Sequence, residues 1–118
     1  MSQRPDTPTT PRGTPIGLSM HRTDGGAPLL SLSGEIDVAT SPLLRSELSD
    51  LLGDAPDRAT LDFAQVSFID SSGLGVLVGA LKRLRESSPD AVLCVANTNG
   101  AVRNVFAITG LDELFEIS

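Results

Sequence analysis

The clearest candidate for chemistry is a short run of carboxyl, hydroxyl and glycine residues at 70–75, with the sequence DSSGLG. It follows the mostly apolar residues 66–69 and precedes leucines and valines at helical spacing, so we predict that a helix begins at about Ser71. Unpaired amides and the positive end of the helix dipole favour an anion at such a position by about 0.3–1 kcal/mol. A phosphate carried by Ser71 would therefore leave the fold intact.

The same residues also have a purely structural interpretation. Asp70, Ser71 or Ser72 can cap the helix through its side chain, because Asp and Ser are among the preferred N-cap residues. Spacing alone does not decide between a helix cap and a modification site.

A second polar segment, residues 35–37 (EID), ends an earlier strand pattern. Because strands that enter consecutive crossovers deliver their carboxyl ends to the same edge of a sheet, we expect this segment to lie beside residues 70–73. Asp37 and Asp70 suggest a paired acid and base, but the sequence shows no substrate cleft to accompany them. Asp37 is explained more simply as a loop residue ahead of a helix cap at 40–41.

Enzyme and cofactor motifs are incomplete. Gly73, Gly75 and Gly79 are spaced G-x-G-x-x-x-G rather than G-x-G-x-x-G, and no acidic residue ends the following strand pattern. A hydrolase elbow needs G-x-S-x-G, and Ile69 stands where its first glycine would be. His21 is the single histidine and so the one candidate base for a Ser-His pair. We expect no enzyme activity, no cofactor and no metal site.

The glycines have another use on the helix surface. Gly75 and Gly79 lie four residues apart, so with Ser72 they form a low strip along one helix face. Either the helix packs closely on its own sheet there or another protein does, and the sequence leaves both alternatives open.

Hydrophobic periodicity predicts the elements that position these residues. Period-two alternation and short apolar runs predict strands, and a turn at 24–26 joins the first two strands in a hairpin. The predicted strands are 16–20, 30–35, 59–63, 91–96 and 114–117, and residues 66–69 lead from the third strand to the second helix.

Helical spacing predicts three helices. The first begins with Ser41 as its cap and Pro42 in the first turn, and it closes at Gly53. The second runs from about Ser71 to Arg85 and the third over residues 100–109, where Gly110 takes the left-handed conformation that ends it. The predicted buried face of the second helix is Leu74, Leu77, Val78, Leu81 and Leu84.

The order is therefore β-β-α-β-α-β-α-β, which predicts a single α/β domain over residues 16–118. Helices that alternate with strands require parallel pairing with right-handed crossovers, so the sheet is mixed, mostly parallel, and has helices packed on it. Residues 1–15 contain four prolines and almost nothing apolar, which predicts a disordered Pro/Thr-rich tail.

Composition excludes several functions for these 118 residues. The net charge is −6 and the cations are scattered, which argues against nucleic acid and anionic membranes as partners. No apolar stretch approaches the roughly 20 residues of a membrane helix, and no signal-peptide pattern is present, so we expect a cytoplasmic protein. The single cysteine, Cys94, lies in an apolar run and is interpreted as core packing.

Three segments together resemble a known family: 32–37 (LSGEID), 68–75 (FIDSSGLG) and 105–112 (VFAITGLD). The set is similar to the STAS domain, specifically to the bacterial anti-sigma factor antagonists, from about Leu29 to Ile117. The D-S-S-G-L-G run preceded by two apolar residues is quite specific to that family.

The resemblance implies a partner-switching cycle. The unphosphorylated protein would bind an anti-sigma factor that is itself an ATP-dependent serine kinase, and would thereby free a sigma factor. The kinase would phosphorylate Ser71, with Ser72 as the second choice, and a metal-dependent serine phosphatase would restore the binding form. The chain would be a substrate and a ligand. The implied partner-binding residues are Glu35, Asp37, Asp70, Ser72, Gly73, Leu74 and Gly75.

Two other functions stay open. A stand-alone STAS module can serve as a scaffold or subunit of a stress-sensing or lipid-transport complex. A small nucleotide-binding protein would use the glycine-rich helix start. The sequence also departs from the family, whose members commonly continue with another helix after the last strand, whereas this sequence ends at Ser118.

Overall fold

Strands and helices alternate along the chain in the computed structural model, which describes residues 27–118 and the backbone of 17–18. The elements are β1 Gly17–Leu18, β2 Leu29–Ile36, α1 Ser41–Leu51, β3 Arg58–Ile69, α2 Ser71–Ser87, β4 Val92–Ala96, α3 Gly100–Thr109, a 3-10 turn Leu111–Glu113 and β5 Glu116–Ile117. This order confirms the predicted α/β fold. The predicted tail at 1–15 and the turn at 24–26 lie outside the described residues.

The sheet is mixed and mostly parallel, as predicted. Its strand order follows the chain, β1-β2-β3-β4-β5. The short β1 pairs antiparallel with β2, and the other neighbours pair in parallel. Since each crossover steps to the next strand in the same direction, right-handed connections place all three helices on one face of the sheet.

The strand β3 is longer than predicted, because it joins the two segments that the sequence separated. Its pairing with β2 contains two irregularities, at each of which β3 carries one extra residue. Each extra residue is a bulge that breaks the period of two, so Phe63, Val66 and Ile69 are all buried at a spacing of three. Because of this spacing, alternation of apolar and polar residues does not predict one continuous strand over 58–69.

The start of α1 differs from the prediction that Ser41 caps the helix. Thr40 occupies the N-cap position and its side chain makes no capping hydrogen bond, while Ser41 is the first helical residue and is buried. The helix ends with Leu52 at the C-cap, one residue before the predicted Gly53. The hydroxyl of Thr40 is used in the preceding loop instead, where it accepts from the amide of Asp37 at 2.9 Å.

The core lies between the helices and one face of the sheet. Four of the five residues predicted for the buried face of α2 are buried, and Val78 is only partly buried. Val76 and Ala80 are in the core as well, and α2 continues to Ser87, two residues beyond the prediction. Phe106 of α3 stacks edge-to-face between Phe63 and Phe115, at ring distances of 6.5 and 5.9 Å, and so ties α3 to β3 and to the end of the chain.

The end of α3 confirms the predicted glycine stop. Gly110 has a φ of 76°, the left-handed conformation that glycine adopts without steric cost. The last strand is shorter than the predicted 114–117, because the amides of Leu114 and Phe115 donate to the carbonyl of Leu111 and only Glu116–Ile117 pair with β4.

Gly73 fixes how closely α2 approaches the sheet. A Cβ atom built on this residue would lie 2.5 Å from Cγ2 of Ile36 and 2.8 Å from Cγ1 of Ile69. Both neighbours are β-branched residues at the ends of β2 and β3, and such side chains have little rotamer freedom. The first turn of α2 therefore packs on the two strand ends at a distance that only glycine allows.

Cys94 is buried in β4, but its thiol makes a polar contact and the residue lies outside the main apolar cluster. Its Sγ donates to Oε1 of Glu116 at 3.4 Å, and the same carboxylate pairs with Arg58. Burial raises the pKa of the Cys94 thiol above its usual value, and the hydrogen bond to Glu116 raises it further.

We predict that Gly73→Ala lowers the free energy of unfolding by about 1–3 kcal/mol, because the added methyl group overpacks against Ile36 and Ile69. Gly79→Ala is the matched control, since a Cβ there meets no atom within 4 Å. Removing a helix-interior glycine should stabilise the control by about 0.4–1 kcal/mol. Urea unfolding followed by far-UV circular dichroism measures both variants, and equal stabilities would contradict the packing argument.

We predict that Cys94 reacts slowly with iodoacetamide in the folded protein at mildly alkaline pH. The raised pKa leaves little thiolate, which is the reactive form. Rates measured by mass spectrometry in buffer and in denaturant should differ by at least about tenfold. A native rate equal to the unfolded rate would mean that the thiol is neither buried nor held by Glu116.

Candidate functional site

The candidate site lies at the edge of the sheet where β2 and β3 end together. Ile36 and Ile69 are register partners, and the amide of Asp70 donates to the carbonyl of Ile36 at 3.0 Å. The segments that follow, 37–40 and 70–73, are therefore neighbours. This confirms the expectation that the two polar segments of the sequence meet at one sheet edge.

Asp70 caps α2. Its Oδ1 accepts from the amides of Ser72 at 2.8 Å and Gly73 at 3.2 Å, and its carbonyl accepts from the amide of Leu74 at 3.0 Å. The sequence left the capping residue open among three candidates, and the structure assigns this role to Asp70. Neither serine is needed to hold the helix end.

Ser71 is the first residue of α2 and is exposed. Its hydroxyl forms no hydrogen bond with any residue of 27–118, so the oxygen is free to meet another molecule. Ser72 is half-buried. The geometry therefore presents Ser71 more openly than its neighbour.

The other residues predicted to bind a partner differ in exposure. Gly73 is buried against the strand ends, and Leu74 is only 6% exposed and belongs to the core. Gly75 is exposed and Gly79 is half-buried, and a Cβ on either would meet no atom within 4 Å. The helix face with Gly75 and Gly79 therefore does not pack on the chain's own sheet. Contact between a partner and the exposed Gly75 stays a prediction.

Asp37 holds the loop between β2 and α1. Its Oδ1 accepts from the amides of Ala39 at 3.0 Å and Thr40 at 3.1 Å. The hydroxyl of Thr40 donates to the carbonyl of Glu35 at 3.0 Å and closes the loop from the other side. Asp37 is half-buried and Glu35 is exposed. The simpler interpretation of Asp37, as a loop residue ahead of α1, is confirmed.

Two apolar side chains at this edge are exposed, and the exposure of neither was predicted from the sequence. Val38 is 72% exposed in the loop after Asp37, and Phe68 is 47% exposed near the end of β3. Phe68 also borders a cavity of about 200 Å³. The cavity is lined by Ser67, Phe68, Ile69, Ala101, Val102 and Val105. Phe68 lies between the exposed Ser67 and the buried Ile69 at the end of β3.

The part of the chain that the structure describes contains no group of three or more His, Cys, Asp or Glu residues arranged to hold a metal ion. The glycine-rich start of α2 does not form an open cradle, because Gly73 faces Ile36 and Ile69. None of the described helices is long and apolar enough to cross a membrane.

We predict that Asp70→Ala lowers the free energy of unfolding by about 0.5–2 kcal/mol, because two amides of α2 lose their acceptor. Asp70→Asn is the matched control, since the amide oxygen of asparagine caps a helix about as well as a carboxylate. Thermal unfolding followed by circular dichroism compares the two variants. An Asn variant as unstable as the Ala variant would show that the cap is not what Asp70 contributes.

Comparison with known proteins gives one consistent result. The family model of the STAS domain matches residues 20–118. The anti-sigma-B factor antagonist of Staphylococcus aureus (strain NCTC 8325 / PS 47) is 33% identical over 89 residues, which span 75% of this chain and 81% of the relative. The protein of the same name from Listeria monocytogenes is 36% identical over 86 residues, which span 73% of this chain and 74% of the relative.

A solved structure agrees with these relatives. The crystal structure of an anti-sigma factor antagonist from Mycobacterium paratuberculosis superimposes with a TM-score of 0.75 at 29% identity, over 87% of this chain and 85% of that one. The exposed serine after a capping aspartate thus lies in a fold that this antagonist shares. The chain belongs to the STAS domain family and, within it, to the anti-sigma factor antagonists.

Proposed function

We propose that this antagonist binds, in its unphosphorylated form, an anti-sigma factor that is a serine kinase, and that phosphorylation of Ser71 ends the binding. Binding of the antagonist makes the anti-sigma factor release the sigma factor. Phosphorylation of Ser71 frees the anti-sigma factor, which then binds the sigma factor again. A serine phosphatase returns the protein to its binding form. The chain acts in the cytoplasm as a ligand and a substrate, and not as the catalyst.

The observation that carries the proposal is the free, exposed hydroxyl of Ser71 beside a cap made by Asp70. A kinase needs a hydroxyl that its active site can enclose, and the hydroxyl of Ser71 forms no hydrogen bond with residues 27–118 that would have to break. Ser72 is the weaker candidate because it is half-buried. Modification of Ser71 thus leaves the cap of α2 in place.

Charge explains how a phosphate would act. Phosphorylation adds about 1.5–2 negative charges at pH 7. Asp70 follows the end of β3 and Asp37 follows that of β2, and neither carboxylate has an ion pair with a residue of 27–118. The amides of Ser72 and Gly73 already serve Asp70, so the first turn has few donors left for the phosphate. Unpaired charge in an interface costs about 2–5 kcal/mol, which is enough to release a partner.

The switch therefore works at the surface. Ser71 is exposed, and the residues beneath it, Gly73 and Leu74, are packed independently of its hydroxyl. A phosphate at this position blocks docking by charge and volume while the fold stays intact.

We predict that Ser71→Asp binds the purified cognate anti-sigma factor at least about tenfold more weakly than the wild type, which corresponds to 1.4 kcal/mol. Ser71→Ala should bind the anti-sigma factor as tightly as the wild type does, and the anti-sigma factor should not phosphorylate this variant. Ser72→Ala is the matched control and should still accept phosphate. Isothermal titration calorimetry and phosphosite mapping give the readouts.

Two results would contradict the proposal. Equal affinities for the wild type, Ser71→Asp and Ser71→Ala would show that charge at this position does not control docking. Phosphate found on Ser72 of the wild type, and not on Ser71, would show that the proposal names the wrong serine.

A further inference from the structure

The edge strand β1 shows from which side the chain enters the sheet. Gly17 is the register partner of Ser33, and Leu18 is the partner of Leu32, so β1 runs antiparallel to β2. The amino end of β1 therefore points toward the carboxyl end of β2, which is the edge that carries the candidate site. The residues before β1, here called the amino-terminal segment (residues 1–16), are joined to the sheet on this side.

The register also indicates which residue of the amino-terminal segment can meet the site. Counting back from Gly17 while counting forward from Ser33 brings position 12 opposite position 38. An extended chain spans about 3.3 Å per residue, so the five steps from Gly17 to Arg12 cover about 16 Å, as do the five steps along β2 and its loop. Arg12 is therefore within reach of the carboxylate of Asp37.

The edge offers negative charge that the described part of the chain does not neutralise. Glu35, Asp37 and Asp70 have no ion pair there. Each aspartate uses Oδ1 to accept from amides of its own loop, and Oδ2 of neither forms a hydrogen bond within the described residues. The amino-terminal segment contains Arg4 and Arg12 and a single aspartate. Its charge is therefore complementary to the edge, and guanidinium groups bind carboxylates in a bidentate manner.

We propose that the amino-terminal segment is an intramolecular ligand of this acidic edge, held by contact between Arg12 and Asp37, and that it shields Ser71 while it is bound. Ser71 follows β3, one strand spacing of about 4.8 Å beyond β2, so the residues before Arg12 are long enough to cover it. Exposed ion pairs are weak and are screened by salt, so the segment alternates between bound and free forms. The consequence rests on the proposed function, because a partner that docks over Ser71 must displace the segment.

Paramagnetic NMR tests the contact in the full chain without a partner. In a Cys94→Ala background, a nitroxide attached through Thr10→Cys should broaden the amide signals of residues 37–40 and 70–72 at low salt. The broadening should fall at least about twofold in 1 M salt, where the Debye length is about 3 Å. Arg12→Gln should remove the broadening. Lys82→Gln is the matched control, because it removes an exposed positive charge far along α2, and should retain it.

Calorimetry against the purified cognate anti-sigma factor tests the shielding with unlabelled protein. At low salt, Arg12→Gln should bind about threefold more tightly than Lys82→Gln, since a segment that covers the site two thirds of the time lowers the apparent affinity threefold. The two variants differ by one charge from the wild type in the same direction, so a general effect of net charge cancels. The difference between them should disappear in 1 M salt.

Three results would overturn the proposal. Signals that are not broadened while Arg12 is present, or that are broadened equally in Arg12→Gln, would show that the contact does not form. Equal affinities of Arg12→Gln and Lys82→Gln at low salt would show that the segment does not shield the site. The proposed function is separate from these outcomes, because it fails only if the wild type does not bind the anti-sigma factor or if negative charge at Ser71 leaves binding unchanged.

Discussion

The first turn of α2 lies directly on the ends of β2 and β3, and the arrangement of the candidate site depends on this contact. Gly73 makes it possible, because any side chain at this position would meet Ile36 and Ile69. The hydrogen bond from the amide of Asp70 to the carbonyl of Ile36 joins the two strand ends at the same point. A helix held farther away would separate the loop after β2 from the helix start that carries Ser71. Backbone packing therefore sets the relative position of the two loops and of the side chains that they carry.

At this edge of the sheet, the residues that hold the backbone lie directly beside residues that are exposed to solvent. Asp70 caps the helix, and Ser71 beside it stays free. In the neighbouring loop Asp37 orders the backbone, and Val38 beside it is exposed. Since the residues that hold each loop differ from those that face solvent, a change at the surface need not disturb the fold. The switch proposed above needs this separation, because the protein must stay folded with and without the phosphate.

The negative charge of the protein affects how a further negative charge would act at this edge. A net charge of −6 and three carboxylates at the site, those of Glu35, Asp37 and Asp70, mean that further negative charge finds little compensation there. Surface charge of this kind contributes little to stability, but it strongly affects which partner docks. The acidic edge is therefore suited to a reversible electrostatic block and unsuited to binding an anion permanently.

The sequence by itself determined the order of elements, the parallel sheet, the start of α2 and the glycine stop of α3, because these follow from periodicity and from local backbone preferences. It also brought residues 35–37 and 70–73 to one edge, since strand ends meet by topology. Only the tertiary structure decided that Asp70 rather than a serine caps α2 and that β3 runs through two bulges. It also decided that Thr40 rather than Ser41 occupies the N-cap position of α1, with its hydroxyl bonded to the preceding loop. It also decided the exposure of Val38 and Phe68. Those outcomes depend on competition among nearby donors and acceptors and on register between strands, and neither quantity is written in local spacing.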